Sequence, residues 1–298
     1  MAIMLALPDH TTACDVCGCS APMSSLGALP RLRSGFVGLR WEHNRFTITE
    51  RTMLTESGTI VEQDVYNRFD LQARVFVHKR VQLLASMPYR QVLRIKYGQT
   101  AEQRGLGDAV LSATVIALDR SAKLRHLLMA GGGVSFPTGV YRPDKKELQQ
   151  PGLQPGTGAF GFMPMVAYTL RWKKLGMSVD VQGRINTTNN RGYQQGHRAD
   201  GTLRFFYWLE KGKWNILPTL GLAGGHGVAD RLNDNDMAGS GGGQLNFMPG
   251  VEVYWKNVSV SAFYRHPLAH SLGNSTISVA PEGNWSVSLF FLFNRSDQ

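Results

Sequence analysis

The chain has 298 residues, 43% hydrophobic and 18% charged, with a formal net charge of +10. That balance excludes a disordered polyelectrolyte. A slightly negative mean hydropathy, with no run of about 18 apolar residues, excludes a helical membrane spanner but not a membrane barrel, whose strands need only about 10 residues with one apolar face. Basic excess suits nucleic acid, yet Lys and Arg are spread along the chain without a zinc-finger spacing, RNP-like motif or basic helix. No nucleic-acid partner is expected.

Residues 1–13 begin with the apolar run Met1 to Leu7 and read as the remnant of a secretory signal peptide. Residues 14–33 read as a periplasmic segment. It holds all three cysteines of the protein, Cys14, Cys17 and Cys19. Thiols at CxxCxC spacing can converge on a soft ion, copper or zinc, with His10 as a candidate fourth ligand. A local disulfide with one free thiol, or acylation of Cys14, answers the same spacing. This segment carries an alternative role, metal-handling or redox-linked, with a periplasmic metal or redox partner.

From residue 34 to 298 the dominant hydrophobic period is two. Phe69, Leu71, Ala73, Val75 and Val77 alternate with Asp70, Gln72 and Arg74; Trp285, Val287, Leu289, Phe291 and Phe293 alternate with Ser286 and Ser288. Such segments fall near 35–49, 65–78, 81–97, 105–118, 124–137, 157–172, 174–188, 202–210, 213–226, 244–256, 257–270 and 283–294. The stretch 105–137 alternates least. The sequence therefore predicts an all-β, antiparallel, up-and-down transmembrane barrel of about twelve strands.

The links support that reading. Short turns are expected at His78 to Arg80, Asp119 to Lys123, Trp172 to Lys174, Lys211-Gly212 and Lys256-Asn257. Long polar loops are expected over 138–156, 189–201, 227–243 and 271–282. Short turns at one end and long loops at the other is the outer-membrane pattern, with both termini in the periplasm. Tyr89, Tyr97, Trp172, Tyr193, Trp214, Tyr254, Trp255 and Trp285 are candidates for interfacial girdles.

With apolar faces on lipid, the opposite parity lines the lumen. Arg40, Arg74, Arg90, Arg94, Arg184, Arg204 and Arg265 are the candidate selectivity residues, joined by Arg68, Lys96 and Arg171. Their acidic counterparts are Glu42, Asp70, Asp108, Asp180, Glu210 and Glu252. Either a wet pore or a core of ion pairs satisfies so many charges.

Catalytic signals are weak, and no enzyme is expected. His266 and His270 share a strand face but lie about 13 Å apart, and Pro267 suggests that the strand ends there. Ser271 beside His270 faces the wrong way for a hydrolase pair, and no GxSxG is present.

Five short stretches occur in a telling order: Gly105-Leu-Gly-Asp108, Phe136-Pro-Thr-Gly139, Pro155-Gly-Thr-Gly158, Asn186 to Tyr193, and Phe247-Met-Pro-Gly250. Together they resemble the MetA-pathway phenol-degradation family over roughly residues 35 to 293. The resemblance implies an outer-membrane barrel for uptake of small, often aromatic compounds. The expected function is a channel for passive transport of small solutes, aromatic or anionic, with the 138–156 loop folded into the mouth or gating it.

Overall fold

The computed structural model describes residues 34–51, 58–121, 123–143 and 150–294, with no side-chain placement for residue 294. The cysteine segment lies outside these residues. The described chain opens with β1 (Ser34–Arg51), β2 (Thr59–His78), β3 (Val81–Lys96), β4 (Gln99–Leu106), β5 (Val110–Ser121) and β6 (Arg125–Ser135). After a 3-10 turn at Pro151–Leu153 come β7 (Gly161–Trp172), β8 (Leu175–Asn186), β9 (Tyr193–Gln194), β10 (Arg198–Tyr207), β11 (Leu209–Lys211) and β12 (Trp214–Gly227). The chain finishes with β13 (Arg231–Leu232), β14 (Asn235–Asp236), β15 (Gly242–Trp255), β16 (Val258–Leu272) and β17 (Ile277–Asn294).

Each wall strand pairs antiparallel with its sequence neighbour, and β1 pairs with β17 from Ser34↔Asn294 to Glu50↔Ile277. That last pairing closes the sheet and removes its edges. β4 and β5 both pair with β3 and are halves of one wall strand. β10 and β11 are likewise halves of another, both against β12. β9, β13 and β14 form a small separate sheet. The wall therefore has twelve strands, as the alternation predicts.

The exterior is apolar. Leu71, Leu220 and Leu289 are each more than half exposed, at 57%, 57% and 56%, and dozens of other large apolar side chains share that surface. A belt this continuous needs lipid, not water. Trp172, Trp214, Trp255, Trp285, Tyr89 and Tyr97 are exposed, as girdle residues should be. Tyr193 and Tyr254 are not girdle residues: both are buried, because they fall on the inward parity or inside a loop.

Five short turns follow β2, β5, β7, β11 and β15. They carry exposed Lys79, Arg80, Arg120, Lys123, Lys173, Lys174, Lys211, Lys213 and Lys256. At the other end two expectations fail. The 271–282 loop is a four-residue link, because β16 and β17 extend as a hairpin above the apolar belt. Out there the outer face no longer meets lipid, so the alternation fades while the backbone pairing continues, and only inward residues such as Leu272, Ile277 and Val279 stay apolar. A similar extension joins β3 to β4 through Tyr97-Gly98. Pro267 does not end β16. It sits at a bulge where the register with β15 shifts beside Asn246, a position that spares the missing N–H.

The poor alternation over 105–118 also has a cause. Ala101, Gln103 and Gly105 are less exposed than their neighbours in β4, whereas Ser112, Thr114 and Ile116 are the buried set in β5. The inward parity flips from odd to even across Gly107-Asp108-Ala109, which the ladder skips.

Candidate functional site: lumen and mouth

The lumen is layered. At the short-turn end Phe36, Leu84, Phe206, Trp208, Leu217, Tyr254, Phe290 and Leu292 form one buried apolar cluster. At the long-loop end Phe46, Ile48, Tyr66, Val92, Leu272, Ile277 and Val279 form another, completed by Leu153 from the loop between β6 and β7. Leu153 is fully buried, so this loop does fold into the mouth.

Between the clusters lies a belt of matched charge. In the β1–β2 register Arg40 stands opposite Asp70, and Glu42 opposite Arg68. Along each strand Arg40 also bonds Glu42, and Arg68 reaches Asp70 at 2.8 Å. Opposite charges therefore adjoin both across and along the strands, which stabilises the pairing. Arg204 lies 3.1 Å from Asp180 and 3.6 Å from Glu252. The Tyr254 hydroxyl donates to Glu252. Buried charges need such partners, because desolvation otherwise costs several kcal/mol per ion.

The seven candidate arginines separate on this map. Arg40 and Arg204 are spent on ion pairs within the belt. Arg94 grips both oxygens of Asp64 at 2.7 Å and donates to Gln150 Oε1 at 2.7 Å, which fastens the inserted loop to the wall. Arg184 donates to Asn186 Oδ1 at 3.0 Å. Arg265 lines a cavity of about 50 Å³ with Asp180, Gln182, Arg198 and Asp200. Arg90 is half-buried beside Gly107. Arg74 differs from the paired arginines. It is buried, donates to the Ser34 carbonyl at 2.9 Å and lies 4.6 Å from the Phe36 ring centroid, with no carboxylate at salt-bridge distance among the described residues. Next to it in β2, Gln72 is fully buried with neither amide atom hydrogen-bonded. Of the acids, Glu210 is exposed at the short-turn rim and is not a lumen residue, because the wall strand is interrupted at Trp208.

Asp108 is buried but does not face a pore. Its Oδ1 accepts from Gly139 N at 2.9 Å. Its Oδ2 accepts from Thr157 N at 2.8 Å and Thr157 Oγ1 at 2.6 Å. One carboxylate thus clamps both ends of the inserted loop to the break in the wall. Here Gly139 and Gly156 touch backbone to backbone: a Cβ on Gly139 would lie 2.6 Å from Gly156 Cα. The clamp continues sideways. Asn189 Nδ2 donates to Thr157 O at 2.9 Å, and Tyr141 stacks on Tyr193 at 6.2 Å. The Tyr193 hydroxyl donates to Asp230 Oδ2 at 3.0 Å. Four of the five short motifs therefore converge on one mouth assembly, which their separation in sequence conceals. Asp230, Gln150 and Gln72 carry no comparable sequence signal. The belt does carry one: Arg-x-Asp/Glu recurs at Arg40-Trp-Glu42, Arg68-Phe-Asp70 and Arg198-Ala-Asp200, the spacing that puts both charges on one strand face.

His266 and His270 are exposed, and no cluster of three or more metal-ligating side chains occurs among the described residues. The Ser271 hydroxyl accepts from Gly243 N at 3.2 Å.

The family model described as "Putative MetA-pathway of phenol degradation" matches residues 52–274. An outer membrane channel from Pseudomonas putida F1 superposes with a TM-score of 0.66 at 14% identity, covering 89% of this chain and 97% of that one. The transport unit of the autotransporter AIDA-I from Escherichia coli superposes at 0.50 and 10% identity, covering 89% and 92%. At these identities the likeness is one of fold: an outer-membrane β-barrel. No curated protein matches the sequence.

Proposed function

The chain belongs to the putative MetA-pathway phenol-degradation family, and on that premise we propose that it is an outer-membrane channel passing small solutes, aromatic or anionic among them. The observation that carries this reading is the layered lumen. A polar belt crosses a closed barrel between two clusters rich in aromatic rings, interrupted on β5 to β7 by a smaller apolar cluster around Ile116, Met129 and Met165, and noncovalent contacts hold the inserted loop in its mouth. Such a lumen gives an aromatic solute apolar surface at both ends and hydrogen-bonding groups halfway. In this reading passage requires the inserted segment to yield, since Leu153 is packed into the apolar cluster at the mouth. The described ends of the wall, Ser34 in β1 and Asn294 in β17, pair on the short-turn side, and in this reading that side faces the periplasm. Solute binding and passage, not catalysis, is the role assigned to these side chains.

Arg74 carries the anion preference in this reading, because its charge is not matched by a carboxylate. The test is the reversal potential of the purified barrel in a planar bilayer under a salt gradient. Arg74→Ser should move the reversal potential toward cation preference, while Arg45→Ser, on an exposed surface, should leave it unchanged. If Arg74→Ser conducts with unaltered selectivity, the anion assignment is wrong.

A further inference from the structure

Much of the protein's net charge of +10 sits on one rim. The five short turns present nine exposed cations, against only Asp119 and Glu210 on the same flanks. Asp119 is already engaged by Arg125 at 3.7 Å. The cations are distributed over every short turn of a closed sheet, so they form a ring and not a patch on one sector.

The ring adjoins an aromatic girdle. Trp214 and Trp255 stack at 5.7 Å and are about half exposed on the lipid-facing surface. Lys256 Nζ lies 4.8 Å from the Trp255 ring centroid, and Lys173 Nζ 5.3 Å from that of Trp172. Tryptophan at this position marks the boundary between hydrocarbon and headgroups. A lysine one residue further along the chain puts its ammonium at phosphate height.

Backbone conformation adds a second observation. Lys173 and Lys256 both have φ of 50°, a left-handed conformation that favours Gly, Asn or Asp in two-residue hairpins. Lysine occupies these turns although its backbone preference is against it. Its charge and reach supply what a turn former cannot.

We infer that the short-turn ring is a docking surface for anionic phospholipid headgroups of the surrounding leaflet, recognised through their phosphodiesters. Three features select lipid over an acidic protein. The ring encircles the barrel, whereas a protein partner would meet one sector. It follows the girdle around the wall. Seven of its nine cations are lysines on long flexible stems that suit a mobile headgroup, and its two arginines are exposed and do not form the buried planar fork that fixes a carboxylate partner.

The experiment reconstitutes the full chain in phosphatidylcholine vesicles and measures the partition of spin-labelled phosphatidylglycerol against spin-labelled phosphatidylcholine into the motionally restricted annulus. Phosphatidylglycerol should be favoured by roughly fivefold at sites beside a lysine, the ratio expected for one basic contact at an anionic surface. At 1 M salt, where the screening length is about 3 Å, the ratio should fall towards one. The variant Lys173→Gln, Lys174→Gln, Lys211→Gln, Lys213→Gln should lose much of the preference, and the matching arginine variant should keep it. Equal partition of the two lipids by the unmodified barrel overturns the proposal and leaves the ring to an acidic protein. An undiminished preference in a folded glutamine variant overturns it as well. If the glutamine variant does not fold, the salt dependence of the unmodified barrel and the arginine variant decide. Conductance does not enter this test, so a failed channel reading leaves it intact.

Discussion

At the long-loop mouth, charge is buried and matched; at the short-turn rim, it is exposed and of one sign. Asp64, Glu62 and Asp108 are each almost inaccessible, and each has a cation or a set of N–H and O–H donors directed at it. The basic rim lies in water or headgroups, and its cations face almost no acids. The difference teaches where electrostatics builds structure. A buried charge left unpaired is costly, and at the mouth each is matched, so the pairs hold it together. Exposed charges contribute little to folding and are available for partners.

The largest effect should come from the mouth. Arg94→Met removes the cation from Asp64 and the tie to Gln150, leaving a buried carboxylate whose remaining described side-chain partner is the Tyr66 hydroxyl at 3.3 Å. A loss of about 3–5 kcal/mol is expected for breaking such a buried pair, read as urea unfolding of the reconstituted barrel. A loss below about 1 kcal/mol would mean that the pair is already hydrated.

Asp108→Ala should cost somewhat less globally, about 2–4 kcal/mol, because the strand break is local while the carboxylate's three hydrogen bonds are lost outright. Hydrogen exchange should show the loss concentrated in 136–143 and 150–160. Uniform loss of protection over the whole wall would refute the clamp.

The rim should behave in the opposite way. Lys211→Gln, on an exposed turn, should change stability by no more than about 0.5 kcal/mol. Lys173→Asn should stabilise the barrel by about 0.5–1 kcal/mol by relieving a left-handed lysine, while weakening any preference for anionic lipid. Destabilisation by Lys173→Asn would show that the lysine is a structural element and would erase the contrast.

How much of this the sequence displays depends on which constraint acted. Where one face meets lipid, the period-two pattern is enforced, and Phe69 to Val77 or Trp285 to Phe293 are unmistakable. Above the belt that constraint ends. The β16–β17 and β3–β4 hairpins therefore read as loops, and only backbone pairing reveals them. Gly107-Asp108 was legible as a motif, but not as a parity break. A glycine-rich stretch has little side-chain pattern to flip. Arg40, Arg68 and Arg204 were legible as inward-facing. Their pairing depends on register, which joins residues tens of positions apart, as Arg204 joins Asp180 and Glu252. The mouth clamp is the extreme case: Asp108, Thr157 and Asn189 meet only after the barrel has closed.

The most direct test of the channel account is single-channel current through the unmodified barrel and through Asp108→Ala, side by side in planar bilayers. The account predicts brief, small openings for the unmodified protein and longer, larger ones once the clamp on the inserted loop is cut. Two heat-modifiable, correctly folded barrels that both fail to conduct would contradict it.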